Sequence, residues 1–315
     1  MRGNIIYRKA IPLIDDEEIL SVYNQAHGRN LSVEWFKWYN YSCPYGANRL
    51  YVAEEKSKII AAWGMLPLKV KLNDRIVTAS FASDATTHPA YQHKGVFANL
   101  NKFVQRCEIE EHGVEISIGV FGEGDIWGMK HLGWEILGDL DFVVCHSPSI
   151  DFKIPPVVKL NRFTEEFDSL LLRLFNSIKF GIVKDHKFLN WRYFDRPDKE
   201  YHTYAYRHKD EILGFITLKY FVDDNGYKKA HILDIYFVNR DAFIVLVNLA
   251  KAFSIAGNCH ELDCWQPKQS PYLDWFYRHQ FEPSNHKNTL KSNIGPVKHL
   301  PHQDWWIMLG DYDVY

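Results

Sequence analysis

Nowhere in its 315 residues does the chain hold about 18 consecutive apolar residues, so no segment reads as a membrane-crossing helix. It also lacks the opening of a secretory leader, because Met1 to Lys9 carries charge and no apolar core follows. An excess of one charge is missing too. Lys and Arg number 37 against 39 Asp and Glu, and no Lys/Arg run forms a basic tail, which removes the general electrostatic case for a nucleic-acid binder. Cysteines are few and odd in number. Cys43, Cys107, Cys145, Cys259 and Cys264 make no disulfide framework and no zinc spacing. The expectation is a cytoplasmic protein with no metal, no nucleic acid and no membrane insertion.

What is present in excess is aromatic side chain, 15% of the residues, beside ordinary apolar and charged fractions of 46% and 24%. The length suits two domains, each with its own core. One stretch organises the rest: Tyr91-Gln92-His93-Lys94-Gly95-Val96-Phe97. It follows the extended-looking run Thr78 to His88 and the breaker Pro89. It opens a helical pattern, Phe97 to His112, with Leu100, Phe103, Val104 and Cys107 at helical spacing. A strand, a tight loop and a helix start would aim backbone N–H groups at one point, where the helix dipole favours an anionic phosphate. Gly95 would let that ligand approach the backbone. Taken alone, the stretch also fits a plain strand-to-helix turn.

Upstream, the acid-rich Asp15 to Glu18 starts a short helix, and Ser32 caps a second through Tyr39. Strands are predicted at 49–54, 59–68, 69–72 and 76–87, with turns at Glu55 to Lys58 and Asn73-Asp74. Downstream come a strand at 114–121, a short helix at 126–131 and a strand at 139–145.

This order resembles the GCN5-related N-acetyltransferases, as do Thr87 to Phe97 and the later Leu132-Gly133-Trp134. The family signature is Gln or Arg, two residues, Gly, one residue, then Gly or Ala. The chain matches at Gln92 and Gly95 and departs at Phe97. The resemblance implies a mixed α/β (α+β) fold with a mostly antiparallel twisted sheet flanked by helices, and acetyl-CoA or another acyl-CoA as co-substrate. It further implies that backbone N–H groups of His93, Lys94, Gly95, Val96, Phe97 and Ala98 hold the pyrophosphate, with Gln92 and the Lys94 side chain in support. The strands 81–88 and 115–121 would splay apart, and Ala85, Thr86 and Thr87 would line the pantetheine arm. One backbone N–H near Asp84 would polarise the thioester. Asp84 is then the candidate general base and His88 a second catalytic candidate, each with a packing or turn role as its alternative. Where family members often carry a tyrosine acid this chain has Met129, so water would protonate the leaving thiolate. Glu123 and Asp125 are further polar candidates.

After a linker expected at Pro155-Pro156 the order of the first half repeats, with helices at 165–178 and 187–193, strands at 201–206, 212–221 and 230–238, a helix at 240–255, a strand at 260–265, a helix at 271–279 and a strand at 305–310. The glycine loop does not repeat, since Val238 to Phe243 contains no glycine. The expectation is a tandem: residues 1–146 binding acyl-CoA, and 157–315 a degenerate copy shaping the acceptor site. Trp191, Tyr193, Trp265, Trp275, Trp305 and Trp306 either line a cleft or fill the core. Arg192 and Arg196 would grip a phosphate or pair at the surface, and Asp311-Tyr312-Asp313 would receive an amine or end the chain in water.

The tandem form is similar to acyltransferases of bacterial cell-surface polysaccharide pathways, through Phe188 to Tyr193 and Trp306 to Asp311. A small-molecule amine, such as a nucleotide-linked amino sugar, is the acceptor this implies. A protein or peptide amine, or a non-catalytic acyl-CoA sensor, stays open, as does a homodimer.

Overall fold

Strands 49–55 and 58–72 carry apolar residues at nearly every position, and the structure shows why. Tyr51, Ala53, Ala61, Trp63 and Met65 enter one hydrophobic cluster, while their neighbours Leu50, Val52, Ala62, Leu66 and Leu68 enter another. Side chains alternate across a strand, so a sheet covered by helices on both faces reads as a continuous apolar run. The computed structural model describes residues 4–121, 126–150, 152–294 and 300–312. Glu123, Asp125 and Asp313 lie outside them.

The first half runs Ile5–Lys9 (β1), Asp16–His27 (α1), Val33–Tyr41 (α2), Arg49–Glu55 (β2), Lys58–Leu72 (β3), Arg75–Thr87 (β4), Val96–Glu110 (α3), Ile116–Phe121 (β5), Ile126–His131 (α4) and Glu135–Cys145 (β6). The second runs Val157–Lys159 (β7), Glu166–Ser177 (α5), Phe180–Ile182 (β8), His186–Tyr193 (α6), His202–His208 (β9), Glu211–Val222 (β10), Lys228–Phe237 (β11), Arg240–Ala256 (α7), Glu261–Trp265 (β12), Leu273–Tyr277 (α8) and Glu282–Ile294 (β13), with Trp305–Trp306 (β14) after it. Apart from β8 and β14, the two halves have one element order. Local chemistry sets several boundaries. Ser32 accepts a hydrogen bond from the Trp35 N–H and caps α2, Asp185 does the same for α6 from Phe188, and Gly28 closes α1 at φ 61°.

The strands form one mixed, mostly antiparallel sheet in the order β1-β2-β3-β4-β5-β13-β6-β12-β11-β10-β9-β7, and β8 pairs with β3 and β14. Its centre is an exchange. β13, from the second half, lies antiparallel between β5 and β6, and β6, from the first, lies antiparallel to β12. Below the sheet α2 and α6 meet across the same divide: Trp38 and Trp191 stack at 5.1 Å, and each indole N–H donates to the other's backbone carbonyl at 2.9 and 3.3 Å.

Several sequence expectations shift. The strands expected at 59–68 and 69–72 are one strand, β3, because Pro67 faces only its pairing with Ser80 and the apolar alternation continues through it. The strand expected at 305–310 is two residues long and ends in a tight turn at Leu309–Asp311. β1, β7, β8 and β13 were not predicted. Trp191, Tyr193, Trp265, Trp305 and Trp306 are all buried in the main core, and Trp275 packs against it, so these rings mainly fill space, Trp191 bordering a cavity of about 20 Å³. The five cysteines are free. No helix among the described residues is long and apolar enough to cross a membrane.

Candidate functional site

β4 and β5 run parallel and pair only at Ala79 with Ile116, Ser80 with Ser117 and Phe81 with Ile118. The two serine hydroxyls hydrogen-bond at 2.6 Å just before the strands part. Beyond that point β5 follows β13, while β4 follows β3 to Thr87. A gap therefore opens between β4 and β5 on the side where α3 begins.

β4 also bulges at the mouth of this gap. Ser83 pairs with Gly64 and Thr86 with Ala62, so Asp84 and Ala85 together face the single residue Trp63. A bulge of this kind re-aims side chains and frees backbone groups from the ladder, and Asp84 takes a left-handed φ of 45° to make it. Beneath the bulge the Asn48 amide donates to Asn40 Oδ1 at 2.8 Å and to Ser83 Oγ at 3.3 Å. A Cβ on Gly64 would fall 2.6 Å from both Asn48 Nδ2 and Ser83 Oγ, so only glycine fits here.

Two cavities meet at the bulge. The first, about 700 Å³, is walled by Ala85 and Thr87, by the loop residues Gln92, His93 and Gly95, by Val96, Phe97 and Ala98 at the start of α3, and by Met129. His93 and Gly95 have φ of 59° and 78°, the alternating handedness that turns successive N–H groups into an anion-binding concavity. Gly95 is the N-cap of α3 and brings no capping side chain. A Cβ on it would meet nothing within 4 Å, so its backbone conformation, not crowding, calls for glycine. Thr87 Oγ1, in the wall, is buried without a hydrogen-bond partner among the described residues.

Of the residues singled out in the sequence, Ala85, Thr87, Gln92, His93, Gly95, Val96, Phe97 and Ala98 share this cavity. Thr86 is buried beside it, and the Lys94 ammonium donates to the Ala90 carbonyl at 2.5 Å and lies over the Tyr91 ring. His88 caps the turn at 89–91, its Nδ1 accepting from the Ala90 N–H at 3.1 Å. The Phe97 ring, the departure from the family signature, stacks on Trp63 at 4.9 Å, and Trp63 stacks in turn on Trp134 at 6.1 Å. The ring is thus packed onto the sheet.

Asp84 faces the second cavity, about 600 Å³. Its other walls are the turn after α1 (Arg29, Asn30, Leu31), Trp35, the segment Arg196 to Lys199, and Lys219 and Phe221 of β10. Asn24 shapes the turn, accepting from the Leu31 N–H at 2.8 Å and donating to its carbonyl at 3.2 Å. Arg196 is buried, hydrogen-bonded to Asp198 at 2.7 and 3.3 Å, with its guanidinium over Trp38. Lys219 is 8% exposed, and burial, reinforced by Lys199, Arg196 and Arg192 against the weaker pull of Asp198, pushes its ammonium down to about 7. Arg29 and Lys219 were not identified from the sequence, although a lone lysine in the apolar strand Ile216 to Phe221 was a visible signal.

The second half repeats the geometry but fills it. β11 and β12 pair in parallel only from Lys229–Glu261 to His231–Asp263, and β11 carries its own irregularity opposite Thr217 and Leu218. The segment Met308 to Tyr312 occupies the gap. A Cβ on Gly310 would sit 3.0 Å from the Leu233 carbonyl, and the Tyr312 ring stacks on Trp265 at 5.7 Å. Arg192 is buried and donates to the Gly310 and Tyr312 carbonyls at 3.0 and 2.6 Å, so it holds this segment and grips no phosphate. Asp311 is buried against Lys184 at 2.7 Å and accepts from the Met308 N–H, neither in water nor at an open site. At α7, Asn239 accepts from the Ala242 N–H at 2.9 Å, whereas Gly95 leaves the start of α3 open.

Residues 14–137 match the family described as acetyltransferase (GNAT) domain. No curated protein matches the sequence. Among solved structures, the chain is similar to a GCN5-related N-acetyltransferase from Anabaena variabilis, with 14% identity, 94% of this chain and 74% of that one covered, and a TM-score of 0.73. It is similar to another from Kribbella flavida at 14% identity, 92% and 71% covered, TM-score 0.65. It is also similar to Saccharomyces cerevisiae N-myristoyltransferase, whose structure holds myristoyl-CoA, at 10% identity, 91% and 78% covered, TM-score 0.64. Residues 14–137 thus match a GNAT domain, and the fold is GNAT-like over nearly the whole length of the chain. One neighbour with this fold, the N-myristoyltransferase, holds an acyl-CoA. The first cavity fits such a group, with an N–H concavity for phosphates and the unpartnered Thr87 hydroxyl in its wall.

Proposed function

We propose that the protein is an acyl-CoA-dependent N-acyltransferase that moves an acetyl or other short acyl group to the primary amine of a small molecule. One observation carries the reading: consecutive residues of one bulge, Asp84 and Ala85, wall two different cavities. An acyl group reaching Ala85 from the loop side and an amine reaching Asp84 from the other would meet at that bulge. Acyl-CoA supplies an activated thioester. His93 to Ala98 bind its phosphates through backbone N–H groups, Thr87 offers a hydroxyl to the pantetheine arm, and a backbone N–H freed by the bulge polarises the carbonyl. Asp84 takes the proton of the acceptor ammonium so that the neutral amine can attack. The C–N bond forms as the C–S bond breaks, the nitrogen releases its extra proton to water, and the thiolate takes one from water, since Met129 stands where a tyrosine acid would be.

The second half, on this reading, binds no cofactor. Its gap is filled by Met308 to Tyr312 and its helix start is capped by Asn239, and its contribution is one side of the acceptor cavity. The acidic groove that would suit a protein amine is absent from the described walls, whose charged residues are four basic, Arg29, Arg196, Lys199 and Lys219, against two acidic, Asp84 and Asp198. A nucleotide-linked amino sugar, with its phosphates, is compatible with them.

Gly95→Glu tests the cofactor seat. A Cβ there meets nothing within 4 Å, so the fold is expected to survive at a cost of about 1–2 kcal/mol for the left-handed backbone, while calorimetric affinity for CoA is lost. Retained affinity would reject the assignment. Asp84→Asn should keep CoA affinity and lose turnover, read as free thiol across pH 6 to 9; unchanged turnover removes Asp84 from catalysis. CoA binding without thiol release from any amine would favour the sensor reading.

A further inference from the structure

Lys219 is nine-tenths buried, faces the second cavity, and makes no hydrogen bond or ion pair with any described residue. Its ammonium lies 5.9 Å over the Tyr201 ring. The groups that act on it most strongly are the cations Lys199, Arg196 and Arg192, opposed by Asp198, which is engaged by Arg196 at 2.7 Å and by Lys199 at 3.7 Å, and the Asp84 carboxylate shares the cavity without pairing with it. Across the strand pair His231 is occupied with Asp263. Arg29, on the clamped turn of the first half, likewise has no acidic partner among the described residues. A buried cation without a counter-ion is unfavourable, and bringing further cations to it worsens the balance. What compensates such a site is an anion from outside.

We propose that the acceptor of the N-acyl transfer is a primary amine that also carries a phosphate or carboxylate group, and that Lys219 and Arg29, one from each half and joined by Lys199, hold that group while Asp84 faces the amine. The inference rests on the proposed acyl transfer for the identity of the ligand as an acceptor, but the anion seat itself does not. Its linkage has a definite sign. With the Lys219 ammonium pushed down to about 7, the amine is mostly neutral at pH 8, and a bound anion restores the charge, so binding takes up a proton. At pH 6 the lysine is already charged and the uptake vanishes.

Calorimetry on the full chain with sulfate, a tetrahedral dianion that does not titrate at these pH values, and separately with acetate, in two buffers of different ionisation enthalpy, reads this directly. Expected are binding of at least one of them with close to one proton taken up at pH 8 and almost none at pH 6, about tenfold or more weaker binding and no uptake in Lys219→Met, and weaker binding with uptake retained in Arg29→Ala. Tighter sulfate binding marks a phosphate acceptor and tighter acetate binding a carboxylate. Absence of binding, or binding that Lys219→Met leaves intact, overturns the proposal. Thiol release from acetyl-CoA with phosphoethanolamine, β-alanine and ethanolamine separates the two readings. Turnover that does not prefer the charged amines sinks the anion requirement and leaves the transferase. Anion binding with no turnover of any amine sinks the transferase and leaves the seat.

Discussion

Gly64 and the Phe97 ring show how single residues shape the site through what packs behind it. Gly64 leaves room for the Asn40–Asn48–Ser83 hydrogen bonds under the bulge. Gly64→Ala would displace two buried polar groups whose hydrogen bonds are worth about 1 kcal/mol each, so a loss of about 1–3 kcal/mol is expected. Thermal unfolding should show it, together with a raised KM for acyl-CoA as the bulge shifts. Neither feature was visible in the sequence, where Gly64 is one glycine in an apolar run. Phe97 was visible as a departure from a signature, but the reason it is accommodated lies in Trp63, 34 positions away and at the centre of the three stacked rings. A signature records spacing along the chain and says nothing of which distant ring receives a side chain.

At the scale of elements, caps and turns told most. Ser32, Gly95 and the Asn73-Asp74 turn each act within four residues, and the helices and strands they bound were read close to where they lie. β13 escaped because its sequence, with Pro283, Ser284 and a run of polar residues, has no alternation; it is a strand because β5 and β6 pair with it on both sides. The aromatic surplus misled for a related reason, since composition counts rings but does not place them. The exchange of β6 and β13 predicts that residues 1–146 alone lack the partners of β5 and β6 and expose unpaired edges. Such a fragment should be aggregated or unfolded by size-exclusion chromatography and circular dichroism, and a soluble, cooperatively melting monomer would contradict it. Adding residues 147–315 in trans should rescue part of the material.

Across the whole molecule, one buried ionic cluster fastens the segment Met308 to Tyr312 to the centre of the second half. Lys184 reaches Asp234 and Asp311, both at 2.7 Å, and Tyr193 donates to Asp234. Burial alone would lower the Lys184 ammonium, but the two carboxylates outweigh it and raise it above its ordinary 10.5. Its contribution to stability is thus complete below pH 10.5 and is lost as the pH climbs above that value toward the folded one. Burial raises the Asp311 carboxyl from its ordinary 3.8, so acid favours its folded, protonated form. Lys184→Met leaves two buried carboxylates without their cation and should destabilise by roughly 3–5 kcal/mol at pH 7. Because protonation then relieves the repulsion, the deficit relative to the parent protein should shrink at pH 5, which calorimetric melting at the two pH values measures. A deficit that grows in acid would mean that the cluster is not arranged as described.

The position of β13 between β5 and β6 also has a consequence in time. During synthesis the ribosome delivers both neighbours well before the strand that joins them, and the pairing closes a loop of more than a hundred residues, the kind of distant contact that slows folding. The nascent first half must wait with its sheet open, exposed to wrong partners. The cavity walled by the glycine loop draws on residues 85–132, but the one beyond the bulge takes Arg196 to Lys199 and β10 as well, so a product that stops short of them cannot form a finished site.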